Sequence, residues 1–141
     1  MAIAGAACME PEIVDAVDEI DFGDWTGRDF ADLADDPAWE RWNSARATSA
    51  AAGGEAMADV QRRAVAHVSR LARACPGTRI AIVSHCDIIR AVVAHYLGLS
   101  LDQILSFDVD PASVSTLVVG DWGGRVVGLN ADGPRTTTKG S

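Results

Sequence analysis

His85 closes the run Arg79-Ile-Ala-Ile-Val-Ser-His85 and stands directly before Cys86-Asp-Ile-Ile-Arg90, so an apolar stretch delivers an imidazole to the point where a helix begins. In open α/β sheets ligands bind at the carboxyl ends of the strands, and the free N–H groups of a helix's first turn face the same place and favour an anion. An imidazole there can contact a phosphate, with the backbone N–H of Cys86 as a second contact. A carboxyl group on the same pocket would supply a general acid or base. Glu19, at the start of Glu19-Ile-Asp-Phe-Gly-Asp-Trp-Thr-Gly27, is the candidate. By spacing alone the pairing is weak, because a histidine at a strand end also serves as an ordinary hydrogen-bonding residue.

Cys86 suggests a different chemistry. A thiol at a helix N-terminus is shifted toward thiolate, and Arg90 follows it. A cysteine phosphatase, however, needs Cys-x5-Arg, so that the loop wraps the phosphate and returns the arginine to it. Here the pattern is Cys-x3-Arg, which on a helix points Arg90 back along the same face.

The elements that must position these groups follow from patterning. Residues 79–84 are apolar without alternation, which fits a strand covered on both faces and central in a parallel sheet. Asp87 to Leu97 is the following helix, with Ile88, Ile89, Val92, Val93 and Tyr96 toward the core and Gly98 as its stop. His95, near its last turn, suits the helix dipole. Upstream, Ile13, Val14 and Val17 predict a short strand running into the Gly/Trp loop. From Arg28 to Arg46 the pattern is helical, with Phe30, Leu33, Trp39 and Trp42 as apolar positions. Asp35-Asp36-Pro37 divides it into two short helices, and Trp39 and Trp42 form a packing ridge. Ala47 to Gly54 has little to bury and reads as a flexible loop, the one plausible lid. Met57 to Cys75 is the longest helix, closed by Pro76-Gly77, with His67 on its exposed side. Leu101 to Leu105 predicts a helical turn, and 113–119 with 125–129 flank Gly120 to Gly124 as a hairpin. Met1 to Cys8 reads as the tail of a core helix, and 131–141 as a disordered polar tail.

Composition bounds the function. The 141 residues, 48% of them hydrophobic, are enough for one domain with a real core. A net charge of −8 argues against nucleic acid and anionic lipid as partners, so a phosphorylated substrate needs a locally favourable pocket. Cys8, Cys75 and Cys86 show neither a Cys-x-x-Cys pair nor Cys/His ligand spacing, against a disulfide framework or structural zinc and in favour of reduced thiols in the cytoplasm. No stretch approaches the roughly 18 consecutive apolar residues of a membrane span.

Four ordered segments together carry more than any one of them: Glu19 to Gly27, Gly53-Gly-Glu-Ala-Met-Ala-Asp-Val-Gln-Arg-Arg63, Ile82-Val-Ser-His85 and Ser113-Val-Ser-Thr-Leu117. In order and spacing they resemble the histidine phosphatase superfamily, the phosphoglycerate mutase-like proteins, from about Ile3 to Asn130. The resemblance implies a three-layer α/β/α sandwich on a mostly parallel sheet, with residues 1–130 as a partial domain of that kind. It implies that the residue at Glu19 is the general acid, that His85 binds and polarises the transferring phosphoryl group, and that no metal or organic cofactor takes part. The substrate would be a small phosphate ester. The family's Arg-His-Gly motif, whose histidine is the nucleophile, has no counterpart in these residues, nor has the arginine of the next unit, and Met1 to Gly5 aligns with the middle of the family's second helix. The expectation is therefore a domain without its first two strands. Open sheet edges would remain, with self-association as one outcome, and hydrolysis would be absent or impaired. A phosphate-binding or self-associating remnant and a phosphoglycerate mutase-type transferase are the alternatives. The short segment 47–54 favours a phosphatase over a mutase.

Overall fold

The computed structural model describes Gly5 and residues 9–132, so most of the expected N-terminal helix tail and residues 133–141 lie outside the described residues. Four helices are described: α1 (Phe30–Leu33), α2 (Pro37–Ser44), α3 (Met57–Ala74) and α4 (Cys86–Leu97). Strands β1 (Ser113–Gly120) and β2 (Gly123–Asp132) follow, with short 3-10 turns at Asp15–Val17, Gly23–Trp25 and Leu101–Gln103.

Local chemistry sets the boundaries. Asp36 caps α2 by accepting from the Ala38 N–H at 2.9 Å, with Pro37 in the first turn, where a missing N–H costs nothing. α4 ends at Gly98, whose φ of 73° places it in the left-handed region that glycine occupies without a Cβ penalty. The two-residue turn Asp121-Trp122 closes β1 on β2 with Gly120 opposite Gly123.

The core gathers around α3 and α4. Met57, Val60 and Ala64 of α3 and Ile88, Ala91, Val92 and Ala94 of α4 are buried together with Ile20, Trp25, Leu33, Trp42, Leu101 and Ile104. The tryptophan ridge is a cluster: Trp25 stands edge-on to Trp39 at 5.2 Å and to Trp42 at 6.0 Å between ring centroids. Phe30, at the ridge's outer end, is exposed and only leans on Trp39.

The sheet differs from the expectation. The only ladder among the described residues is the antiparallel pair β1–β2, so the mostly parallel sheet is not formed by them. Residues 79–84 enter no ladder, and Ile80, Ile82 and Val83 are 45%, 40% and 52% exposed. A strand patterned for burial on both faces needs neighbours at both edges, and the β1–β2 hairpin pairs only with itself. The strand expected at Ile13 to Val17 is likewise absent. Asp15–Val17 is a 3-10 turn and Ile13 is exposed; among the described residues no strand pairs with this segment, and its carbonyls accept from Arg63 and Ser84 instead.

Two further expectations change. His67 is buried, with the Arg70 Nη2 at 2.8 Å from its Nδ1, so α3 turns it inward. Segment 47–54 is anchored: the Ala47 N–H donates to Asp102 at 2.8 Å, Ala50 bridges Ala56, and Ala51 is buried. No helix of the described residues is long and apolar enough to cross a membrane.

Candidate active site

Glu19 sits between the 3-10 turn at Asp15–Val17 and the glycine loop, with Ile20 beside it. Adjacent residues of an extended segment point to opposite sides. Burying Ile20 in the core therefore turns Glu19 outward, and its Oε1 accepts from the Ile20 N–H at 2.9 Å. His85 is the N-cap residue of α4, with extended backbone. The two side chains meet: Glu19 Oε2 lies 3.5 Å from His85 Nδ1, and each keeps roughly half of its surface open to solvent (41% and 53%). The contact is an ion pair when the imidazole carries a proton.

One hydroxyl links the two segments directly. Ser84 Oγ donates to the Val17 carbonyl at 2.6 Å, so the end of the 79–84 run is fastened to the turn that precedes Glu19.

Cys86 occupies the first position of α4, where its N–H has no partner within the helix. Its thiol donates to the Val109 carbonyl at 3.2 Å, and desolvation pushes its pKa above the ordinary thiol value. A thiol held in the protonated form and engaged elsewhere is a poor nucleophile. Arg90 pairs with Asp87 at 3.4 Å, and its charge does not offset the desolvation of the thiol.

Sequence reasoning missed two arginines. Arg46, from the end of the α2 region, is buried, packs its guanidinium over Trp42 at 5.2 Å and pairs with Asp87 at 3.1 Å. Asp87 is thus shared by Arg46 and Arg90, which ties the first turn of α4 to the tryptophan cluster. Nothing in the local pattern distinguishes Arg46 from a surface residue. Arg63 belongs to a motif that sequence analysis singled out and pairs with Glu55 of that motif, but its other partners are backbone carbonyls remote in the chain, and no residue type signals those.

Comparison with known proteins gives a consistent result. The family described as the histidine phosphatase superfamily (branch 1) matches residues 1–132. Among solved structures, YhfR of Bacillus stearothermophilus is similar at a TM-score of 0.85 and 24% identity, covering 93% of this chain and 66% of its own. A mycobacterial glucosyl-3-phosphoglycerate phosphatase is similar at 0.78 and 25% identity, over 92% of this chain and 69% of its own. The alpha-ribazole phosphatase of Shigella flexneri is similar at 0.76 and 22% identity, over 94% of this chain and 68% of its own. The chain thus spans about two thirds of the length of the structures it resembles. No curated protein matches it significantly.

Proposed function

The chain belongs to the histidine phosphatase superfamily, and from that premise we propose that Glu19, His85 and the backbone N–H of Cys86 form the acid and phosphoryl-binding part of a site for small phosphate esters. The observation that carries this reading is the 3.5 Å approach of Glu19 to His85 at the start of α4, between segments far apart in sequence. An imidazole beside free helix N–H groups suits a phosphoryl group, and a carboxyl group beside it suits proton delivery to the ester oxygen as the P–O bond breaks.

The phosphoryl acceptor is a separate question. His67 is buried against Arg70. His95 lies in the last turn of α4, on the order of 15 Å along the axis from its start. Neither reaches a phosphoryl group at His85, and Cys86 is held as a thiol. The 141 residues alone therefore bind phosphate without appreciable turnover. Water is favoured over a second substrate hydroxyl as the eventual acceptor, because segment 47–54 is anchored and offers no lid. The same reading makes 79–84 an inner strand of a mostly parallel sheet once its edges are paired.

The test is a titration of the purified 141-residue chain with inorganic phosphate, followed by the side-chain NMR resonances of His85. Saturable movement of these resonances is expected, together with a phosphate-dependent shift of the Cys86 and Asp87 backbone amides that His85→Ala abolishes, alongside near-background hydrolysis of p-nitrophenyl phosphate. Unmoved resonances would overturn the site. Turnover that vanishes in His85→Ala and persists in Cys86→Ala would overturn the account of the nucleophile.

The exposure of Ile80, Ile82 and Val83 favours a second reading, in which the chain self-associates through this edge. Light scattering after size exclusion decides it. A monomer with cooperative unfolding removes that reading.

A further inference from the structure

The motif from Gly53 to Arg63 has no part in the site as described so far, yet its two charged ends meet beneath Glu19. Arg63 grips Glu55 with two donors, Nε to Oε1 at 3.0 Å and Nη2 to Oε2 at 3.0 Å. Its remaining donors go to backbone carbonyls of the acid's own segment: Nη1 to Ala16 at 2.9 Å and Asp15 at 3.4 Å, and Nη2 to Asp18 at 3.0 Å and Glu19 at 3.4 Å. Glu55 completes the arrangement from the other side. Its Oε2 accepts from the Asp21 N–H at 3.0 Å, and its own N–H donates to the Asp21 carbonyl at 2.8 Å.

We infer that Arg63 and Glu55 are positioning residues for Glu19, one ion pair that fixes the backbone on both sides of the acid and so sets where its carboxyl group stands relative to His85. The inference rests on the reading of Glu19 and His85 as one site. The planar guanidinium is what the task requires: five donors in a rigid fork satisfy a carboxylate and several carbonyls at once, whereas a lysine offers a single charge with three donors on a flexible stem. The backbones nearby are pressed together to match. A Cβ on Gly54 would collide with the Asp21 carbonyl, and one on Gly23 with the Ala52 carbonyl. Arg62, next in sequence, takes no part; it is exposed and pairs with Asp59.

The test reads the His85 imidazole resonances at one fixed pH in the full chain. Glu19→Gln is expected to displace them in the parent protein. In an Arg63→Lys background the same substitution is expected to displace them by less than about half as much, the signature of a lost coupling. In an Arg62→Lys background the displacement is expected to be unchanged. A mere loss of stability would not produce this pattern in a protein that still unfolds cooperatively. If Arg63→Lys does not unfold cooperatively, Glu55→Gln decides the matter in the same way, since it keeps the shape and removes the charge. Equal displacement in the parent and the Arg63→Lys or Glu55→Gln background overturns the positioning role alone. No displacement by Glu19→Gln in the parent overturns the site reading and the positioning role with it.

Discussion

The segment that carries Glu19 is tied down from several directions: Arg63 holds its carbonyls, Glu55 holds Asp21, the Asp24 N–H donates to Ala52 at 2.9 Å, and Ile20 anchors it in the core. The segment that carries His85 is held chiefly at its end, by the Ser84 hydroxyl and by α4, whose inner face buries Ile88 and Ala91. Residues 79–84 enter no ladder among the described residues, and Ile80, Ile82 and Val83 are exposed. Glu19 is thus preorganised within this chain, while His85 follows a run that enters no ladder among the described residues. Catalytic geometry needs both halves fixed to a fraction of an ångström. Covering 79–84 would sharpen the position of His85 and leave that of Glu19 as it is.

The contrast can be broken by unfolding experiments, taken from the largest effect downward. Trp42 is fully buried against Phe22 and Trp25 of the glycine loop, and Trp42→Ala is expected to cost about 3–5 kcal/mol by urea denaturation. Gly54→Ala forces a Cβ against the Asp21 carbonyl and is expected to cost about 2–3 kcal/mol, since backbone and not a flexible side chain must yield.

Glu55→Gln comes next. The Arg63 hydrogen bonds hold the Glu55 carboxyl below its ordinary value of 4.5. A lowered folded-state pKa contributes stability that is present above the unfolded value and lost as pH falls through the folded one. The parent is therefore expected to exceed Glu55→Gln by about 1 kcal/mol near neutrality. The gap should close on acidification below 4.5, which chemical unfolding at several pH values measures. The smallest effect belongs to the other region. Ile82→Ala is expected to change stability by less than about 0.5 kcal/mol, and the amides of 80–84 to exchange with solvent sooner than those of Asp21, Asp24 and Glu55. A cost above about 1 kcal/mol at Ile82 would mean that this run is buried in solution, and the contrast would fail.

Much of the helical framework was legible from residue order. Pro37, the Met57 to Cys75 periodicity and the Gly98 stop mark boundaries that depend on local backbone chemistry, and the structure places helices there. His85 at the mouth of α4 and Glu19 at the mouth of the glycine loop were legible as types in the right places. The partners that steady them were not. Arg63 binds carbonyls, which every residue possesses, and Arg46 reaches Asp87 across the fold. The burial of His67 was also hidden, because its position lies at the edge of the α3 apolar stripe, where neighbouring elements decide which side is covered.

By itself, then, the sequence determined the helices, the hairpin, the family and the identity of the two groups that face each other, since these follow from local propensity, periodicity and the order of motifs. Only the tertiary structure decided that Glu19 and His85 lie 3.5 Å apart, that one ion pair between Glu55 and Arg63 holds the Glu19 segment, and that 79–84 enters no ladder among the described residues. Those outcomes depend on which backbone groups find partners across the fold. A strand's pattern states what it needs on either side, and only the assembled chain shows whether anything is there.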